Sequence, residues 1–263
     1  MDIMKINDYI YRTAIPYKDI FTTVYVVKTP DGAVLFDAAS FDEDVDGYIL
    51  PLLEQAGVTE QELKYIFISH NHRDHAGGLP VLLRKFPDVC VVSRSDILPT
   101  KYEGYAFLKP EEDHVLLDVL RVITIPGHTT DSMALLDTRT GTMLTGDSLQ
   151  LYGIYGSGPW GSNICLPVEH IQAVEKVRSL PVEEIFTAHD YHPCGYHYSG
   201  REQIELALDS CIAPILKVKE LLTANPEMDD DGIKKLYNDA EYLPNLNPRL
   251  VSSVRSAMAE GRI

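Results

Sequence analysis

Basic residues are scarce in this chain: 23 Lys and Arg stand against 39 Asp and Glu in 263 residues, a formal net charge of -16. That balance argues against a nucleic-acid or anionic-membrane surface, both of which attract cationic patches. No apolar run approaches the roughly 20 residues that a membrane-spanning helix needs. The opening Met1-Asp2-Ile3-Met4-Lys5 has no basic stretch followed by an apolar one, so no secretory leader is expected. Cysteine is thin as well. Cys90, Cys165, Cys194 and Cys211 are scattered and form no Cys-x-x-Cys pair, which predicts free thiols in a cytoplasmic protein. The 45% hydrophobic and 24% charged content is that of a folded globular chain, long enough for one large domain or one domain with an appendage.

Histidine is rare too, with nine in the whole chain, yet three of them fall in Ser69-His70-Asn71-His72-Arg73-Asp74-His75. The apolar run Tyr65–Ile68 just before it reads as a buried strand, so the cluster lies on the loop leaving that strand. In extended chain His70 and His72 point the same way, as two ligands of one metal must. Asp74 and His75 follow once the chain has turned and can face a second metal. A nitrogen-rich set with one carboxylate suits zinc, and iron or manganese at lower affinity.

The remaining pattern is strand-rich up to Gly200. Residues 3–13 read as a first strand ending before Pro16, and Thr22–Val27 and Ala33–Asp37 flank the turn Pro30-Asp31-Gly32. Asp37, at a strand end, is either a turn cap or an acceptor that orients a ligand histidine. Val45, Tyr48, Ile49 and Leu52 recur at helical spacing before Gly57, and Gly77-Gly78 lead into a helix over Leu79–Lys85. Strands at Val89–Val92 and Leu120–Ile125, a hairpin of Ser132–Leu136 with Thr142–Leu144, a helix at Pro167–Leu180 and a strand at Ile185–Ala188 follow. Residues 93–113 carry no clear pattern. Beyond Gly200 the pattern is helical, and Ile204, Leu208, Cys211, Ile215, Val218 and Leu222 form an apolar stripe. That stripe packs on its own domain or on a second copy in a homodimer, and Pro214 is expected to kink or restart the helix. His114 and His170 have no partners visible in sequence and are expected to face solvent. The predicted division is a domain over 1–200 and a helical extension over 201–263.

Each half thus places metal-binding residue types on strand exits, and two facing sheets with helices outside would bring those exits to one edge. Seven candidate ligands result: His70, His72, Asp74, His75, His128, Asp147 and His189. With HNHRDH at 70–75, Pro126-Gly127-His128-Thr129, Thr145-Gly146-Asp147 and Thr187-Ala188-His189-Asp190 in that order, the chain resembles the metallo-β-lactamase fold superfamily of hydrolases, which includes glyoxalase II and bacterial lactonases. The resemblance covers about residues 20 to 190. It implies an α/β fold, the αββα sandwich, with a small C-terminal helical extension. It also implies that His70, His72 and His128 bind one metal, that Asp74, His75 and His189 bind the other, and that Asp147 bridges them.

Two divalent metal ions at such a site, zinc first with iron or manganese as alternatives, bring water to a pKa near about 7, so that hydroxide held between them can attack an acyl carbon. The expected reaction is hydrolysis of a small-molecule ester, thioester or lactone, with Asp74 assisting the leaving group and Asp147 bridging. Tyr152 and Tyr155 lie with Trp160 in a glycine-rich loop that is either a pocket wall with a hydroxyl donor or a surface loop tucked on the core. The similar lactonases often carry a tyrosine near the bridging aspartate, whereas Gln150 stands three positions after Asp147 here. The run 191–198 invites the same two readings, with His192 and His197 as packing and hydrogen-bonding residues. The acidic tail has no basic cluster like the one with which glyoxalase II holds glutathione. Two other reaction classes fit the same ligands: a mononuclear iron persulfide dioxygenase and a phosphodiesterase for small nucleotides.

Overall fold

Alternation along the strands builds the layers. In a computed structural model describing residues 2–152, 161–191, 194–240 and 246–263, one sheet runs β1 (Ile3–Lys5), β2 (Ile10–Tyr17), β3 (Ile20–Thr29), β4 (Gly32–Phe36), β5 (Leu63–Phe67), β6 (Cys90–Val92), β7 (Ala106–Leu108) in spatial order. The second contains β8 (Val115–Leu116), β9 (Leu120–Thr124), β10 (Met133–Asp137), β11 (Thr142–Leu144), β12 (Glu184–Tyr191) and β13 (Gly195–Ser199), ordered β13-β12-β11-β10-β9-β8. Val34 and Phe36 of β4 and Phe67 of β5 face Val122, Leu135, Leu144 and Phe186 of the second sheet, forming the core between the sheets. Their neighbours Leu35 and Ile66 point the opposite way, onto Ile49, Leu52, Leu79 and Leu82 of the helices. The outer face of the second sheet is covered by Val174, Val177, Ile204 and Leu208. Helices therefore lie outside both sheets, the αββα order expected.

The helix predicted from Asp42 is continuous in three segments, α1 (Asp42–Asp44), a π-helical turn (Val45–Ile49) and α2 (Leu50–Ala56), closed by Gly57 at φ 67. Pro51 has no N–H for the preceding turn, and the wider π turn sits where that bond is lost. α3 (Arg73–Ala76) and α4 (Leu79–Lys85) follow β5, and the patternless 93–113 stretch holds α5 (Leu98–Lys101) as well as β7. After β11 come α6 (Pro167–Ser179), α7 (Arg201–Ala224), α8 (Asp230–Ala240) and α9 (Pro248–Ala259).

Three expectations change. The first strand is two, because Asn7 Oδ1 accepts from the N–H groups of Tyr9 and Ile10 at 2.9 and 3.0 Å and turns the chain between β1 and β2; Pro16 is the exposed penultimate residue of β2 rather than its terminator. α7 runs unbroken through Pro214. Its stripe is gripped along its length, by the second-sheet core at Ile204, Leu208 and Cys211 and by Ile233, Tyr237, Leu250 and Val254 at Ile215, Val218 and Leu222. That burial outweighs one missing hydrogen bond, and it removes the stripe as a homodimer surface. Among the described residues no helix is long and apolar enough to cross a membrane.

Candidate metal centre

The seven predicted residues come from the corresponding edge of both sheets. Asp37 leaves β4 at φ 65 and is wholly buried. Its Oδ1 accepts from the Ser69 N–H at 2.7 Å, and its Oδ2 accepts from the Ser69 hydroxyl at 2.9 Å and from His75 Nδ1 at 2.7 Å. Of its two sequence readings, the orienting acceptor is the one observed. The second sheet meets this loop at Gly146, whose φ is +54 and where a Cβ would lie 2.4 Å from Ser69 Oγ. Only glycine lets the Thr145-Gly146-Asp147 turn approach closely enough to deliver Asp147.

Two groups of donor atoms result, each with its members within 4.8 Å of one another: His70, His72 and His128, and Asp74, His75, Asp147 and His189. In the first, His72 Nδ1 lies 2.9 Å from His70 Nε2 and 3.0 Å from His128 Nε2. In the second, His189 Nε2 is 3.0 Å from Asp147 Oδ1 and 3.4 Å from Asp74 Oδ2, with His75 Nε2 3.5 and 3.4 Å from the same two oxygens. The other Asp147 oxygen, Oδ2, is 3.6 Å from His128 Nε2, so this carboxylate spans both groups.

The tautomers follow from what the outer nitrogens meet. His128 Nδ1 donates to the Asn163 carbonyl at 2.7 Å, His189 Nδ1 to the Phe21 carbonyl at 2.6 Å, and His75 Nδ1 to Asp37. Because those acceptors cannot donate, each Nε2 carries an inward lone pair whenever its ring is neutral. The Ser69 hydroxyl, committed as donor to Asp37, accepts from His70 Nδ1 at 3.1 Å in the same way. Converging lone pairs and carboxylates repel unless a cation lies among them. His75 Nε2 and Asp147 Oδ1 are buried without a hydrogen-bond partner among the described residues, as inward ligand atoms would be. The donor set therefore fits two divalent cations, with nitrogen dominating one position and nitrogen plus carboxylate the other.

The two groups differ electrostatically. Burial, then the neighbouring His75, holds His70 well below its ordinary pKa, and burial presses His128 down to about 4 although Asp147 pulls it up. Both are neutral near pH 7. In the second group burial works against charge but loses: Asp74, Asp37 and Asp147 hold His75 well above its usual range, and Asp147 leads in pushing His189 up to about 10. Burial would likewise raise Asp147, yet His189 and His75 hold it well below the carboxylate range. Protons on these two rings thus occupy the role that a cation takes over on binding.

Several contributors carry no sequence signal. Thr22 Oγ1 donates to Asp74 Oδ2 at 3.3 Å, and the acceptors at Phe21 and Asn163 are backbone carbonyls, which any residue supplies. Gln150, conspicuous in sequence only for not being tyrosine, is fully buried. Its Nε2 donates to the Asp147 carbonyl at 2.9 Å and to Tyr191 Oη at 3.1 Å, and its Oε1 accepts from the Asn163 N–H at 2.7 Å. It therefore ties the loop of Asp147 to the loop that fixes His128. Gln150→Leu should weaken zinc binding at the three-histidine group by roughly 10- to 100-fold, read by competition with a chromophoric chelator; unchanged affinity would detach Gln150 from the site.

His170 is a correction. Far from facing solvent, it is fully buried on α6, and a Cβ on Gly127 would lie 2.5 Å from its Nδ1. Burial, then nearby His128, presses its pKa down to about 3, so it is a neutral packing residue beneath the His128 turn. His114 is half-buried rather than free in solvent. His197 stacks on Phe186 at 4.2 Å and bonds Glu184 at 2.7 Å, the packing role expected of it. Tyr152 is tied by its backbone to α7 and to the turn before β13: its N–H donates to the Ser210 carbonyl at 3.0 Å and its carbonyl accepts from Cys194 Sγ at 3.1 Å. Tyr155, Trp160 and His192 lie outside the described residues.

Comparison with known proteins agrees with this architecture. A family model described as the metallo-beta-lactamase superfamily matches residues 17–189. A hydroxyacylglutathione hydrolase of Vibrio campbellii is 30% identical over 143 residues, 54% of this chain and 53% of that protein, so the match spans about half the length of that relative. Among solved structures, rubredoxin oxygen:oxidoreductase from Desulfovibrio gigas superposes with TM-score 0.67 at 17% identity, covering 82% of this chain and 62% of that one. The DIM-1 metallo-beta-lactamase superposes with TM-score 0.62 at 15% identity, covering 81% and 96%. At those identities the structural likeness is one of fold.

Proposed function

Because the chain belongs to the metallo-beta-lactamase superfamily, we propose that its seven converging residues hold two divalent cations, zinc first, and that it hydrolyses a small ester, thioester or lactone. The observation that carries this reading is the arrangement of inward Nε2 atoms, each backed by an outer acceptor, around a carboxylate that faces both groups. Bound divalent cations supply a hydroxide nucleophile near neutral pH and polarise the carbonyl under attack. The chain's residues do the rest. Asp147 fixes the spacing of the two positions, and Asp37, Phe21 and Asn163 prevent ring rotation. Asp74, with its side chain 13% exposed where that of Asp147 is 6% exposed, is the ligand carboxylate closer to solvent and the one placed to assist the leaving group. Thioesters lead the substrate classes because the Vibrio campbellii relative is named for hydrolysis of one. Tyr152, and Tyr155 outside the described residues, are kept as candidates for a pocket wall or a hydroxyl donor. We take residues 1–200 as the catalytic domain and 201–263 as its extension, and the four free cysteines support a cytoplasmic setting.

The test is elemental analysis of protein purified without added metal, followed by a panel of neutral thioesters, esters and lactones. About two divalent ions per chain with hydrolysis that a chelator abolishes is the expected result. Metal near zero that cannot be restored, or close to one iron per chain with oxygen uptake on persulfides and no hydrolysis, would overturn it.

A further inference from the structure

A cavity of about 660 Å³ opens beside the three-histidine group and is lined by His72, Arg73, Phe41 and Lys101, together with Asp42 and Glu43. In a chain of net charge -16, cations are few, and most of the basic side chains near carboxylates are paired. Arg73 and Lys101 are exposed and, among the described residues, neither has a carboxylate partner. Arg73 instead lies over the Phe41 ring with its guanidinium carbon 4.7 Å from the centroid, and Lys101 lies over Tyr102 at 5.1 Å. Those contacts hold two cations at the groove while leaving their hydrogen-bond donors open.

The wall is rigid where Arg73 rests on it. Asp44 Oδ2 accepts from the backbone N–H groups of Ser40 at 3.1 Å and Phe41 at 2.9 Å, fixing the loop that carries the ring. On the other side Arg73 opens α3, whose end is pinned by the Gly77 N–H donating to the Ala39 carbonyl at 2.8 Å. Asp42 already reaches out to Arg84 at 3.9 Å, away from the two open cations in pairing terms, so Glu43 is the acid that remains to counter them. The guanidinium of Arg73, next in sequence to the candidate ligand His72, and the ammonium of Lys101, neither paired with a carboxylate among the described residues, form a recognition element for an anion.

We propose that this groove selects substrates bearing a carboxylate, on the acyl or the leaving-group arm, through Arg73 and Lys101. The inference rests on the hydrolase reading of the metal centre and narrows its substrate class. It requires no new chemistry: the anion is bound and released unchanged while the scissile bond lies at the metal centre.

Binding separates the two ideas. The metal-loaded protein is titrated calorimetrically at low ionic strength with uncleavable thioether analogues, one ending in a carboxylate and one in the matching carboxamide. The acid should bind about tenfold more tightly, with the preference lost in Arg73→Gln and Lys101→Gln and kept in Arg73→Lys and Lys101→Arg. Melting temperatures of the four variants report whether they fold. Equal binding of acid and amide, or a preference that survives both neutral variants, overturns the groove. The corresponding cleavable thioesters are assayed in parallel: a carboxylate preference in binding with no cleavage of any thioester overturns the hydrolase reading and leaves the anion site standing.

Discussion

Asp147→Asn should lower kcat/KM for any substrate the protein hydrolyses by roughly 1,000-fold or more, the scale of about 4 kcal/mol of lost transition-state stabilisation, and should reduce bound metal from about two ions per chain to about one. The reason is geometric. Asp147 is the one ligand whose two oxygens address different groups, Oδ1 at 3.0 Å from His189 Nε2 and Oδ2 at 3.6 Å from His128 Nε2. An asparagine of the same shape offers one oxygen and one N–H donor, so it can serve one group and presents a proton to the other. The variant should still fold, because the side chain makes no hydrogen bond that the turn depends on; Gly146 and the Ser148 N–H, which donates to the Thr145 carbonyl at 3.0 Å, shape that turn. The ion retained should sit with His70, His72 and His128, whose low pKa values leave them ready to bind. Elemental analysis with steady-state kinetics checks both halves. Two metals retained with the same loss of rate would make Asp147 a catalytic group rather than a bridge.

The convergence of the seven candidate residues was legible in the sequence because metal chemistry restricts ligands to few residue types, and because strand exits are where such types have no structural reason to gather. The layer order was legible from alternation in β4 and β5, where Val34 and Phe36 turn to one core and Leu35 to the other. What escaped were contacts for which residue type is uninformative. The carbonyls of Phe21 and Asn163 orient ligands without any side-chain signature. His170 looked like a solvent residue because its partner, the turn at Gly127, is 43 positions away and reveals itself only by lacking a side chain. Pro214 was read by its local rule, and tertiary burial on both halves of α7 overrode that rule. The C-terminal extension, too, reaches the site in a way no pattern foretold: Asn247, which caps α9, donates to Asn163 Oδ1 at 3.3 Å, and the Asn163 carbonyl holds His128.

Asp37 carries the second large effect, and two substitutions separate its structural from its electronic role. Asp37→Ala removes the acceptor for the Ser69 N–H, the Ser69 hydroxyl and His75 Nδ1 at a position wholly closed to water. Leaving such a network uncompensated costs about 3–5 kcal/mol, and alanine must also adopt φ 65, a left-handed conformation that aspartate tolerates better. A fall in the urea midpoint of the metal-free protein measures that loss. Asp37→Asn keeps the volume and one oxygen, so it should retain more of the stability while still losing metal. Its amide oxygen goes to the Ser69 N–H, and its NH2 then faces His75 Nδ1, which becomes an acceptor and carries the ring proton to Nε2. That places a hydrogen on the atom facing Asp74 and Asp147, and affinity of the second group for zinc should drop by at least about 10- to 100-fold while the three-histidine group is little changed. Metal content and stability both kept in Asp37→Asn and lost only in Asp37→Ala would mean that Asp37 merely fills space. A stable Asp37→Asn protein that binds a single tight zinc would show that the tautomer of His75, set from behind by one buried carboxylate, decides whether the centre holds two metals or one.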